Sequence, residues 1–281
     1  MNKKEQKNRH KHRMIILERI KQYEREERWD EDVEDDLPTV PLLPKDVDYL
    51  NKKLKSRIAT KIGNYLAIKY FESLIKKRQL IIKDIKGLDN VKAVPGGAIL
   101  TCNHFSPSDN YVIYRAMKGI LGKKWLYKII KEGNFTNYPG FIGFLFRHCN
   151  TLPLSSNTDT MKKFLSSLKI LLDRGEKVLI YPEQSMWWNY RKPRPLKDGA
   201  FNFAVSNNVP IIPVFITMED SDVIGAEGFP VQEYTLHFLP AIYADEKLSK
   251  KQNIQQMKDK NFSMWKEVYE NTYKISLKYE K

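Results

Sequence analysis

Cysteine is scarce in this chain. Its 281 residues hold only Cys102 and Cys149, in no zinc-finger or C-x-x-C spacing, so no metal site and no redox motif is expected. Cys102 falls inside an apolar run, which points to free thiols in a reducing compartment; pairing of the two is the alternative. Long apolar runs are missing too. Nothing approaches the roughly 18 residues of a bilayer-spanning helix, and Met14-Ile15-Ile16-Leu17 is too short for the core of a signal peptide. A cytoplasmic protein is expected, free or on the cytoplasmic face of a membrane. No serine or cysteine sits in a nucleophile-elbow motif, so covalent catalysis by such a residue is not indicated. No internal repeat, long low-complexity tract or nucleic-acid-reading motif is present, and basic charge alone supports a nucleic-acid partner weakly.

What the chain does have is positive charge. Lysine and arginine number 48 against 34 acidic residues, a formal net charge of +14. That implies an anionic partner: nucleic acid, an anionic membrane or a phosphorylated substrate. Hydrophobic content of 42% suffices for a real core, in one large domain or two small ones.

Residues 1–28 carry ten lysines or arginines and five glutamates, so a helix is expected there that need not pack on the core. An acidic cluster from Asp30 to Asp36 and then Pro38, Pro41 and Pro44 read as a linker or strap, closing a 1–44 extension. Over 45–78, Ile58, Ile62, Tyr65, Leu66, Ile68, Phe71, Leu74 and Ile75 form one broad apolar helical face among basic residues. Packing on a sheet is the expectation for most of it, and lying on an anionic bilayer is the alternative. From 79 to 245 short apolar strands alternate with helices. Strands are expected at 79–85, 98–102, 125–130, 151–154, 178–181, 209–216 and 234–238, and helices at 140–147, 158–174 and 199–207. The remainder, 246–281, reads as mostly helical. The alternation predicts an α/β fold with a mostly parallel sheet flanked by helices, whose ligands sit at the carboxyl ends of strands.

One stretch at such an end carries chemistry: Asn103-His104-Phe105-Ser106-Pro107-Ser108-Asp109. His104 follows a buried strand. Ser106 is placed to cap the next helix, with Pro107 at its first position and Asp109 in its first turn. A carboxylate there can fix one imidazole tautomer, leaving the other ring nitrogen to take a proton from a hydroxyl. The same residues also fit a capping box, in which Asp109 serves only the backbone.

Four blocks in order, within about residues 80–240, resemble the glycerolipid acyltransferases typified by 1-acylglycerol-3-phosphate O-acyltransferase. The first is the stretch above. The second is Asn150-Thr151-Leu152-Pro153-Leu154-Ser155-Ser156, the third Tyr181-Pro182-Glu183-Gln184-Ser185-Met186-Trp187, and the fourth Val209-Pro210-Ile211-Ile212-Pro213-Val214. The resemblance implies that His104 deprotonates an acceptor hydroxyl, Asp109 orients it and Glu183 braces the site, a loop-capping carboxylate being the alternative for Glu183. Donors around the third block would stabilise the oxyanion. Substrate contacts are expected from Asn103, Arg147, Gln184, Ser185, Arg191, Arg194 and Lys197.

The implied donor is acyl-CoA or acyl carrier protein, with no other cofactor. The implied acceptor is a lysoglycerolipid, foremost 1-acylglycerol-3-phosphate, at an anionic membrane surface and with no nucleic acid partner. A non-phosphate or glycolipid acceptor and a non-catalytic membrane-binding relative are the alternatives. The family's second-block and third-block arginines align with Ser156 and Met186, and Gln184 replaces a glycine. Arginine forks normally grip the acceptor phosphate, so Arg191, Arg194 and Lys197 are the candidates to take over.

Overall fold

The computed structural model describes residues 3–35 and 39–280. Asp36 and Pro38, the end of the expected acidic cluster and the first proline of the strap, lie outside the described residues, as do residues 1, 2, 37 and 281.

Seven strands among the described residues form one sheet. They are β1 (Ile81–Lys86), β2 (Ala98–Cys102), β3 (Leu126–Ile130), β4 (Thr151–Pro153), β5 (Lys177–Ile180), β6 (Ile211–Ile224) and β7 (Pro230–Phe238), in the spatial order β1-β7-β6-β2-β5-β3-β4. Every neighbouring pair is parallel except the β6–β7 hairpin. β6 runs on to Ile224, past the expected end at 216, because its outer half has an antiparallel partner from Thr217 to Ile224.

The central strands are buried on both faces and read as continuous apolar runs, as parallel strands covered by helices do. Their side chains alternate between two cores. Ile99, Val178, Ile211 and Phe215 point to a layer formed by α7 (Thr158–Asp173), α8 (Gly199–Ser206) and α9 (Lys250–Tyr273). Leu100, Leu179, Ile212 and Val214 point to a layer formed by α2 (Leu54–Lys76), α3 (Leu88–Lys92) and α4 (Asp109–Leu121). The C-terminal helix is thus part of the main core, through Met257, Trp265 and Tyr269.

α2 divides its apolar face. Ile68, Phe71, Leu74 and Ile75 pack on the sheet, whereas Leu54, Ile58, Ile62 and Tyr65 are 48–68% exposed. Gly63 lets the helix approach α6 (Gly140–His148) closely: a Cβ there would meet the carbonyl oxygen of His148 at 2.8 Å.

The N-terminal helix α1 (Lys3–Arg25) forms as expected, and its Ile16 and Ile20 make a separate small core with Val33 and Trp187. One expectation is corrected: α4 starts at Asp109, with Ser108 at the cap position, not Ser106. The Ser106 hydroxyl oxygen accepts from the Ser108 N–H at 3.2 Å, so residues 106–108 close their own turn before the helix begins. Short α3 and α5 (Glu132–Thr136) fill stretches that carried no helical pattern, since five residues are too few to show a 3.6 period.

Candidate functional site

The site forms where the parallel strands β2 and β5 end side by side. Asn103, buried just after β2, pairs with the backbone of Ile216 in β6: its Oδ1 accepts the N–H at 2.8 Å and its Nδ2 donates to the carbonyl at 3.0 Å. This side chain acts as one more rung of the ladder and releases the chain into the 104–108 loop. It is structural, and not on offer to a substrate as expected.

The loop is laced to the segment after β5. The carbonyls of His104 and Phe105 accept from the N–H groups of Trp187 and Asn189, each at 3.0 Å. The His104 N–H donates to Glu183 Oε2 at 3.0 Å.

His104 Nδ1 lies 2.7 Å from Asp109 Oδ2. The carboxylate is fully buried, and the imidazole is 20% exposed. An ionised carboxylate only accepts, so Nδ1 carries the proton and Nε2 presents its lone pair. The capping-box contacts exist but are long, 3.4 Å from the N–H groups of Phe105 and Ser106 to the same Oδ2. The other oxygen, Oδ1, accepts from the Tyr181 hydroxyl. The Tyr181 ring also stacks on His104, with centroids 3.9 Å apart and planes at 14°. Burial, and next the Asp109 charge, push the Tyr181 phenol well above its ordinary pKa, so it remains a donor. No sequence signal singled out Tyr181 beyond its place at the head of the third block.

Glu183 is 2% exposed and Arg194 is wholly buried. Glu183 Oε1 accepts the Arg194 main-chain N–H at 2.8 Å, and Oε2 accepts from Arg194 Nη2 at 3.0 Å. Arg194 Nη1 also donates to Ser185 Oγ at 2.8 Å and to the Trp29 carbonyl at 2.6 Å. Its guanidinium lies over the Trp187 ring, 4.5 Å from the centroid. Burial lowers the Arg194 pKa and Glu183 opposes the change; a guanidinium stays charged through this. Arg194 was expected to meet substrate from a loop. With no exposed surface it instead neutralises Glu183, which in turn holds the His104 backbone.

The remaining expected contacts are scattered. Arg191 reaches Asp220 and Gln232 at 2.7 and 3.2 Å. Lys197 pairs with Asp30 at 3.0 Å. Arg147 donates to the carbonyls of Phe135 and Tyr138 at 3.2 and 3.1 Å and lines a cavity of 120 Å³ with Lys45, Lys53 and His148, away from the dyad residues. Ser156 bonds Glu132 at 2.9 Å. The cations expected to form a phosphate grip are therefore each engaged with protein groups.

Gln184 is exposed at φ +68°, so the backbone keeps the left-handed conformation that glycine adopts most easily. Its N–H and that of Ser185 bond the carbonyls of Tyr181 and Glu183. With the N–H groups of Trp187 and Asn189 also committed, these four are not free as oxyanion donors. Among the described residues, no cluster of three or more His, Cys, Asp or Glu side chains could hold a metal ion, and no helix is long and apolar enough to cross a membrane.

Residues 83–217 match the family model described as Acyltransferase. A 1-acyl-sn-glycerol-3-phosphate acyltransferase from Brassica napus, BAT2, chloroplastic, is 28% identical over 136 residues, which are 47% of this chain and 36% of that protein. The match therefore spans about a third of the relative's length. The crystal structure of the 1-acyl-sn-glycerophosphate (LPA) acyltransferase PlsC from Thermotoga maritima is similar over 78% of this chain and 84% of that one, at 17% identity and a TM-score of 0.49.

Proposed function

We propose, from the match of residues 83–217 to the acyltransferase family model, that this chain is an O-acyltransferase that moves a fatty acyl group from the thioester of acyl-CoA or acyl carrier protein to a lysoglycerolipid hydroxyl. The observation that carries this reading is the 2.7 Å contact of His104 Nδ1 with buried Asp109, at the carboxyl ends of parallel strands.

In the proposed reaction His104 Nε2 takes the acceptor's proton while its oxygen attacks the thioester carbonyl carbon. Asp109 stabilises the imidazolium that forms. The tetrahedral intermediate collapses, the carbon–sulfur bond breaks, and the leaving thiolate takes the proton back from His104. No side chain needs to carry the acyl group. Glu183, neutralised by Arg194, holds the His104 backbone in place throughout.

The acceptor reaches this site from a membrane surface in our reading. Leu54, Ile58, Ile62 and Tyr65 follow one another along α2, and Phe141 and Ile142 of α6 are 44% and 43% exposed. Tyr70 and Phe141 make an edge contact at 5.9 Å that joins the two helices. Exposed Lys55, Arg57, Lys61 and Lys69 surround this apolar strip, as suits peripheral binding to an anionic leaflet. The cytoplasmic face is the proposed location.

The foremost acceptor is 1-acylglycerol-3-phosphate, which the net charge of +14 favours. A second reading, an acceptor without a terminal phosphate such as a glycolipid, is favoured by the engagement of Arg191, Arg194 and Lys197 with protein groups. The test is transfer of labelled acyl groups to lysophosphatidic acid, lysophosphatidylglycerol and monoacylglycerol on vesicles. A preference of about tenfold or more for lysophosphatidic acid, the worth of one charge-assisted contact, supports the first reading. Equal use of monoacylglycerol supports the second, and no transfer to any acceptor overturns both.

A further inference from the structure

Asp109 serves two donors at once: His104 at one carboxylate oxygen and the Tyr181 hydroxyl at the other. We infer that Tyr181 is a positioning residue that sets the proton affinity of His104, through its hydroxyl on Asp109 and its ring against the imidazole. This rests on the acyltransferase reading for its consequence in turnover, but not for its effect on the histidine.

The argument is electrostatic. A carboxylate that accepts a second hydrogen bond holds less negative charge toward the first partner, so the hydroxyl weakens Asp109's pull on the imidazolium. The stacked ring works the other way, because an aromatic face attracts a cation. The two oppose each other at His104, while the stack fixes the plane of its ring. The stack also covers one face of the ring.

Between about pH 5 and 9 the neighbours of the pair are carboxylates, a guanidinium that stays charged, and a thiol and phenols whose pKa burial raises. Glu183 sits at the His104 N–H and is matched by Arg194. Cys102 is buried, its thiol pushed well up by burial and then by Asp109 and Glu183. Tyr234, whose ring meets Phe105 edge-on, is pushed up to about 12 by burial. A titration seen in that range at this site is therefore that of His104.

The experiment is the titration of the His104 ring nitrogens by NMR in folded wild type, Tyr181→Phe and Tyr181→Leu, with the kcat/KM pH profile beside it. Tyr181→Phe keeps the stacked ring and removes the hydroxyl. The His104 midpoint should rise by about half a pH unit, the size of one hydrogen bond felt through a shared carboxylate, and the acid limb of kcat/KM should move with it. Tyr181→Leu should bring the midpoint back down, because the ring's stabilisation of the cation is lost, and lower kcat as the imidazole loosens. 3-Fluorotyrosine at position 181 keeps the size of the side chain and strengthens the donor, so it should lower the midpoint even if the phenylalanine variant does not fold. An unmoved midpoint in the phenylalanine and fluorotyrosine proteins overturns the inference. So does a fall in rate with an unmoved midpoint, which would mark Tyr181 as packing alone. If the midpoints move while no acyl transfer is found, the acyltransferase reading fails and the role of Tyr181 stands.

Discussion

Arg194 is the residue whose loss is expected to cost most. Its guanidinium is wholly buried and matched to Glu183, which is 2% exposed. Breaking a buried pair by removing one partner costs about 3–5 kcal/mol, because the other charge is left uncompensated. Arg194→Met should therefore lower stability in urea by that amount, and Arg194→Lys should recover little, since an ammonium cannot make the forked contacts to Glu183, Ser185 and Trp29 at once. A loss under about 1 kcal/mol would show that Glu183 does not depend on this brace. The positions of His104 and Glu183 were legible because each stands just after an apolar strand, and that of Asp109 because it stands at a helix start. Arg194 was not legible as a brace: among Arg191, Lys192 and Lys197 it looks like one charge in a solvated loop, and only the fold reveals that it alone turns inward.

Among the elements, α2 shows where a sequence pattern runs out. Its apolar positions fit one helical face throughout, yet the first half faces solvent and the second half packs on the sheet. Periodicity identifies a face and not what covers it. The exposed half makes a separable test. Ile58→Asp/Ile62→Asp should cut sedimentation with anionic vesicles severalfold and leave the melting temperature within a few degrees, because both side chains are about half exposed at 50% and 48%. Unchanged vesicle binding would remove α2 from the membrane surface. α1 gave the opposite lesson. Its high charge left open whether it packs; Ile16 and Ile20 bury against Trp187, and the segment after it supplies the Trp29 carbonyl to Arg194 and the Glu31 carbonyl to the Trp187 indole N–H at 3.0 Å. Few apolar residues in a charged helix are enough to dock it when they recur at i and i+4.

For the molecule as a whole, acid sensitivity should have a specific source outside the site. His237 lies on β7 with Nε2 3.1 Å from the Thr217 hydroxyl, and burial, helped by Lys86, lowers its pKa to about 4. The unfolded chain binds this proton near the ordinary value of 6.5. Stability contributed by the neutral ring is therefore complete above pH 6.5 and is lost as pH falls toward 4, by up to about 3 kcal/mol. Denaturant melts across that window should show the loss, and His237→Gln should flatten it; an unchanged slope would mean another group is responsible. The succession of strands and helices and the mostly parallel sheet were legible from alternation, whereas the spatial order of the strands was not. The side-chain partners of the basic residues were not either, since they depend on which loops meet across the sheet.

The most direct test of the central claim is single-turnover acyl transfer by wild type and His104→Ala on anionic vesicles, with labelled acyl-CoA and, separately, acyl carrier protein. The account expects loss of about 10²–10⁴-fold in rate, at a nearly unchanged melting temperature because the imidazole is partly exposed and outside the core. A His104→Ala protein that turns over close to wild type would contradict it.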